Sequence, residues 1–430
     1  MKILIDNISI IPMTRHNYLI EKGFVVIENQ IIKELGEGDA PKDNYYKIID
    51  GRNRVVLPGF VNAHTHAAMT LLRGYADDLP LMDWLTTKIW PLEAKLSPED
   101  VYWGTMLAIV EMIKSGTTTF ADMYFFMDEV AQAVDVSGIR AVIARGMVGT
   151  GPGAEKALNE SRDLVGKWHQ KAGGRISCLL GPHAPYTCPP DYLTRVIKLA
   201  ADLKVGIHIH LAETKDEIQN IQNLYGKSPV VYLQDLGVLS HQVVAAHCVH
   251  LDDQDIKILQ ESNTGVVHNP ESNMKLASGI ARVPDMLRAG IPVALGTDGA
   301  SSNNNLDMLQ EMRTCALLHK VKTMDPVVLP AYEALEMATV NGAKVLGLDQ
   351  QIGKLQPGLR ADMIILDLSQ AHMIPRYDLI ANIVYSAQAG DVNTVIIDGK
   401  IVMEDRKITT INEKEILDKA KSVAETLVKG

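Results

Sequence analysis

Two histidines one residue apart close the apolar run Leu57-Pro58-Gly59-Phe60-Val61-Asn62-Ala63-His64-Thr65-His66. Side chains of a β-strand alternate between faces, so in a strand His64 and His66 point the same way and can hold one metal ion. A hydrolytic metal centre takes three or four imidazole or carboxylate ligands and keeps one position open for water. Three later strand-like runs end in suitable residues: Gly206-Ile207-His208-Ile209-His210-Leu211-Ala212-Glu213, Val243-Val244-Ala245-Ala246-His247, and Pro292-Val293-Ala294-Leu295-Gly296-Thr297-Asp298. His64, His66, His210 and Asp298 are the expected ligands of a single metal. His208 shares a face with His210 and reads as a hydrogen-bonded core residue one layer deeper.

The acid/base group belongs near the open metal position. Glu213 follows His210 just past the strand end, where a carboxylate can take a proton from water and give it to a substrate. The run Glu213-Thr214-Lys215-Asp216-Glu217 also reads as a helix start. Asp298 can add proton shuttling to ligation, and His247 can hydrogen-bond the attacking water or a developing tetrahedral centre. His250 and His268 read as structural. The donor set suits zinc, which lowers the pKa of bound water toward about 7; iron and manganese accept the same donors. Two-metal barrel hydrolases bridge their ions with a lysine on the fourth strand, and Ile176-Ser177-Cys178-Leu179-Leu180-Gly181-Pro182-His183 has none. One Zn2+ per subunit is the expectation.

The elements that must position these residues follow from the alternation of apolar strand-like runs with helix-like segments between residues 57 and 347, the pattern of parallel βαβ units. Eight strands end near His66, Asp122, Arg145, His183, His210, His247, Asn269 and Asp298. Eight is the number that closes a (β/α)8 TIM barrel, whose active site lies at the C-terminal ends of its strands. Between the first two, Ser97-Pro98-Glu99-Asp100 opens a helix that runs to about Lys114. Residues 1–56 read as short strands. Residues 348–430 return two more strand pairs and a terminal amphipathic helix from about Asn412. Both termini are therefore expected to build one small β-sandwich domain.

Composition narrows the function. A net charge of −10 offers no clustered basic surface for nucleic acid, and small-molecule chemistry is the better expectation. The N-terminal apolar stretch is broken at once by Asp6, which does not read as a signal peptide, and no run has the length of a membrane span. Cys178, Cys188, Cys248 and Cys315 form no CxxC pair and no disulfide framework. A reducing cytoplasmic compartment fits.

Several of these motifs carry a family resemblance. Pro58-Gly59-Phe60-Val61-Asn62-Ala63-His64-Thr65-His66, Gly116-Thr117-Thr118-Thr119, His208-Ile209-His210-Leu211-Ala212-Glu213, His247-Cys248, His268-Asn269-Pro270 and Gly296-Thr297-Asp298-Gly299 resemble the amidohydrolase superfamily. More narrowly, the chain resembles its 5-methylthioadenosine/S-adenosylhomocysteine deaminases, over nearly its whole length. The metal motifs are shared with triazine chlorohydrolases, so they specify chemistry better than substrate. Narrower support comes from the stretch Leu81 to Glu93. The resemblance implies that Glu93 binds ribose hydroxyls; read alone, it is a surface glutamate before a helix cap. It further implies that Arg145 helps bind substrate at an amino-acid tail, that His183 contacts the purine, and that Ser302 faces the purine from a run where Ser and Asn are also ordinary loop residues. A homo-oligomer is implied as well.

The reaction expected from this resemblance is hydrolytic deamination at C6 of an adenine nucleoside bearing a 5′-thioether, with Glu213 protonating the ring nitrogen. Two alternatives stay open at this point. One is hydrolysis of another amino- or chloro-heterocycle, such as guanine, cytosine or a triazine. The other is a non-catalytic barrel used for binding.

Overall fold

The computed structural model describes residues 1–429. The chain opens with five strands, β1 (Lys2–Ile10), β2 (Ile20–Glu28), β3 (Ile31–Glu37), β4 (Lys47–Asp50) and β5 (Arg54–Pro58). It then enters eight parallel strands joined through helices: β6 (Phe60–Thr65), β7 (Thr117–Tyr124), β8 (Arg140–Met147), β9 (Ile176–Pro182), β10 (Ile207–Leu211), β11 (Val243–His247), β12 (Thr264–His268) and β13 (Val293–Leu295). Each is hydrogen-bonded to the next in sequence. The seam between last and first is bridged at the site itself, where the Asp298 N–H donates to the His64 carbonyl at 3.0 Å.

The barrel strands are almost wholly buried because both of their faces are covered. Val61, Ala121, Val142, Leu179, Val244, Val267 and Ala294 fill the interior and pack with Val345 and Leu346, which close the end opposite the site. On the other face Phe60, Phe120, Ile143, Ile207 and Val243 pack against the surrounding helices. The first of those helices, Pro98–Lys114, starts with a reciprocal cap: Asp100 N–H donates to Ser97 Oγ at 3.3 Å, and Ser97 N–H to Asp100 Oδ2 at 2.8 Å.

After the barrel come β14 (Met363–Asp367), β15 (Val392–Ile397), β16 (Lys400–Glu404) and β17 (Lys407–Ile408). They pair through β14 and β5 with the N-terminal strands in one nine-stranded mixed sheet. The small β-domain expected from both termini is present, built as a single continuous sheet. It curls on itself: Ile31 bridges to Arg360, and residues of both halves, among them Ile3, Ile27, Met363 and Ile396, share one core. The helix Glu413–Lys429 ends the described chain. Among the described residues no helix is long and apolar enough to cross a membrane.

Sheet and barrel are tied by a buried charge cluster. Arg140, at the start of β8 and only 1% exposed, donates Nε and Nη2 to the two oxygens of Asp362 at 2.7 and 3.1 Å, and its Nη2 lies 3.5 Å from Asp398.

Candidate active site

Residues at or near the ends of seven of the eight strands, among them His66, Tyr124, Arg145, His183, His210, His247 and Asp298, line one cavity of about 770 Å³ at one mouth of the barrel. β6 ends at Thr65, one residue short of His66, and its pairing with β7 shifts register between Asn62 and Thr65. The histidine pair therefore owes its convergence to this irregular strand end more than to simple alternation. Four ring and carboxylate atoms meet there. His66 Nε2 lies 3.2 Å from His210 Nε2 and 3.3 Å from Asp298 Oδ1, and His64 Nε2 lies 3.4 Å from the same oxygen.

These distances fit a bound cation. Ligands about 2.0–2.1 Å from a tetrahedral ion stand roughly 3.3 Å from one another. Each ring also has its other nitrogen engaged, which frees Nε2. His66 Nδ1 donates to the Met123 carbonyl and His210 Nδ1 to the His183 carbonyl, both at 2.7 Å. His64 Nδ1 pairs with His208 Nε2 at 2.9 Å, so His208 is the hydrogen-bonded layer beneath. His64 Nε2 is buried with no hydrogen-bond partner of its own. Asp298 Oδ2 is occupied by the hydroxyls of Ser272 and Ser302, both at 2.7 Å, leaving Oδ1 to face the rings.

Burial and the Asp298 carboxylate act on these rings in opposite directions. Burial opposes a proton on His66, but the Asp298 carboxylate outweighs it and pushes the ring up to about 9. Burial lowers His64 to about 4 against the same carboxylate. Burial would raise Asp298, but the two rings hold it well below the usual carboxylate range. Backbone strain marks the same place: Ala212, His247 and Asp298 have φ of 52°, 74° and 62°, left-handed values that residues other than glycine adopt at a cost.

Glu213 and His247 stand beside the donors, His247 Nε2 3.9 Å from Glu213 Oε2. Burial raises the Glu213 carboxyl, with His247 acting against it. His247 is oriented by Asn273, whose Oδ1 lies 2.9 Å from its Nδ1. The remaining expected residues are brought together on the cavity wall. Glu93 bonds Tyr124; Arg145 pairs with Glu160 at 2.8 Å and stacks over Phe125; His183, held neutral by burial to about 4, bonds Thr187 at 3.0 Å. Ser302 lines the cavity while its hydroxyl serves Asp298. His250 bonds the Ser278 carbonyl, and His268 pairs with His319.

Sequence reasoning missed Tyr124, Ser272, Asn273 and the aromatic wall of Trp84, Trp90 and Tyr186. Tyr124 at the end of the second barrel strand had the positional signal used for the histidines, but a tyrosine in an apolar run does not announce chemistry.

A barrel with this donor set at its strand ends belongs to a known class. Residues 55–402 match the model of the amidohydrolase family, and the chain belongs to that family. The chain is 68% identical over 429 residues, covering 100% of both chains, to a protein of Syntrophomonas wolfei named 5-methylthioadenosine/S-adenosylhomocysteine deaminase. It is 55% identical, over 99% of each chain, to a protein of the same name from Pelotomaculum thermopropionicum. Among solved structures, an adenosine deaminase from Xanthomonas campestris with bound zinc superposes with a TM-score of 0.95 at 34% identity, covering 100% of this chain and 99% of that one.

Proposed function

We propose that the protein is a metal-dependent hydrolytic deaminase of purine nucleosides, with 5′-methylthioadenosine and S-adenosylhomocysteine as its substrates. The observation that carries this reading is the meeting of four donor atoms, from His64, His66, His210 and Asp298, at the floor of a cavity that also holds the buried carboxyl of Glu213 and a second glutamate, Glu93. The names of the relatives support the substrate class.

His64, His66, His210 and Asp298 would hold one divalent cation, for which zinc suits the donors. Such a cation, when bound, supplies Lewis-acid activation of water. Glu213 accepts a proton from that water and delivers it to the purine ring nitrogen, while His247 hydrogen-bonds the oxygen that adds to C6. The new C–O bond forms on C6; Glu213 then takes the remaining proton from that oxygen and passes it to the exocyclic amine, whose C–N bond breaks to release ammonia and leave the 6-oxo product. Glu93 holds the ribose hydroxyls, His183 and Ser302 border the base, and Arg145 meets the carboxylate of an amino-acid tail.

The test is ammonia release by the zinc-loaded protein from methylthioadenosine, S-adenosylhomocysteine, adenosine, guanine and cytosine, and chloride release from a chlorotriazine, with Glu213→Gln alongside. Turnover confined to adenine nucleosides and lost in the variant is the expected result. Turnover of a free base or the triazine instead would sink the nucleoside reading.

A further inference from the structure

The run Thr214-Lys215-Asp216-Glu217 has the spacing of a reciprocal helix start, in which the glutamate returns to the backbone N–H of the threonine. Half of that arrangement forms: Thr214 Oγ1 accepts the Glu217 N–H at 3.2 Å, opening the helix Lys215–Tyr225. The glutamate itself goes elsewhere. Its Oε1 accepts the N–H of Ala212 and its Oε2 the N–H of Glu213, both at 2.9 Å. The side chain thus reaches past the helix cap to the two residues that follow β10.

Holding a carboxylate in this position is costly. Glu217 is 3% exposed; burial and the carboxyl of Glu213 disfavour its charge, and the two backbone N–H donors act in its favour. A buried charge without a counter-cation destabilises a fold unless its hydrogen bonds are complete. Here both oxygens are satisfied by one short loop, whose first residue, Ala212, carries the strained φ of 52°.

We propose that Glu217 is the positioning residue for Glu213, clamping both N–H groups of the Ala212–Glu213 segment so that the Glu213 carboxyl is held at the reacting atoms. This rests on the reading of Glu213 as the acid/base group. A displacement of about 1 Å at such a group costs on the order of 10²-fold in rate. Glutamine at position 217 has the same shape but sets an amide donor against one of the two backbone donors, so the loop must move.

The experiment compares kcat and KM of the zinc-loaded protein with its Glu217→Gln, Glu213→Gln and doubly substituted forms, with zinc content and melting temperature measured for each. Glu217→Gln is expected to lower kcat by roughly 10–100-fold, with KM within about 3-fold and zinc content unchanged. In the Glu213→Gln background the same change is expected to alter the residual rate by less than about 2-fold, because the clamp acts through a carboxyl already gone. A Glu217→Gln kcat within about 2-fold of the unsubstituted protein, or an equal loss in both backgrounds, overturns the proposal. An active Glu213→Gln form overturns the acid/base reading instead. If Glu217→Gln does not accumulate folded, Glu217→Asp keeps the charge but falls one methylene short of the loop. It is then expected to show the same loss and the same non-additivity, and full activity there overturns the proposal.

Discussion

The Tyr124 hydroxyl donates a 2.7 Å hydrogen bond to Oε1 of Glu93, joining the end of β7 to the short helical segment over the cavity. The bond fixes one oxygen and leaves the other for a ligand. Burial raises the Glu93 carboxyl, with the tyrosine bond opposing, so the pair is a desolvated contact of the kind that contributes about 1.5–3 kcal/mol. Glu93→Gln is expected to raise KM for adenine nucleosides by roughly 10–100-fold with a smaller change in kcat, and Tyr124→Phe to move KM the same way by less. Steady-state kinetics with an unchanged KM in Glu93→Gln would remove the ribose role.

The hydroxyls of Ser272 and Ser302 both bond Asp298 Oδ2 and so orient the carboxylate with Oδ1 toward the rings. Replacing both Ser272 and Ser302 with alanine is expected to weaken zinc binding by about 10–100-fold. Competition with a zinc chelator of known affinity measures this. Equal affinity in the double variant would show that Asp298 holds its orientation unaided.

All four cysteines are buried and unpaired, and burial pushes the Cys178 thiol up to about 12. Thiolate is the reactive form, so a thiol reagent at neutral pH is expected to label none of them in the native protein and all four after unfolding. Fast labelling of the native protein would contradict the packing around them.

Asp122 accepts the Thr65 hydroxyl and the Ala67 N–H, and burial raises its carboxyl to about 6. An acid whose folded pKa lies above its unfolded value of about 3.9 binds more protons when folded between those pH values, so its charge costs stability as pH rises through that window. Asparagine keeps an acceptor oxygen and no charge. The stability of the unsubstituted protein relative to Asp122→Asn is therefore expected to fall by a few kcal/mol between about pH 4 and pH 6. Denaturant melts across that range giving a constant difference would refute it.

The barrel was legible because its strands are short apolar runs stopped by polar residues, and the observed ends at Thr65, His247 and His268 lie within one residue of those read from the pattern. Asp298 shows the limit. Its strand, β13, stops at Leu295, and the side chain reaches the rings through a left-handed turn that no periodicity encodes. The terminal sheet was legible as strands; its closure was not, because pairing between β5 and β14 joins segments roughly 300 residues apart. Within the site, ligand types announce themselves by chemistry. Tyr124 and Ser272 gain their roles only from what the fold sets beside them. Glu217 was visible as a helix-start glutamate, and its longer reach depends on the bend at Ala212.

The Arg140 cluster sets an order on synthesis. The arginine emerges early in the barrel, while Asp362 and Asp398 leave the ribosome more than 200 residues later. Until then the growing chain carries a guanidinium that cannot be buried without its counterions. A chain that stops before Asp362 lacks both carboxylates and leaves the guanidinium of Arg140 unpaired, making such premature termination products natural targets for proteolysis.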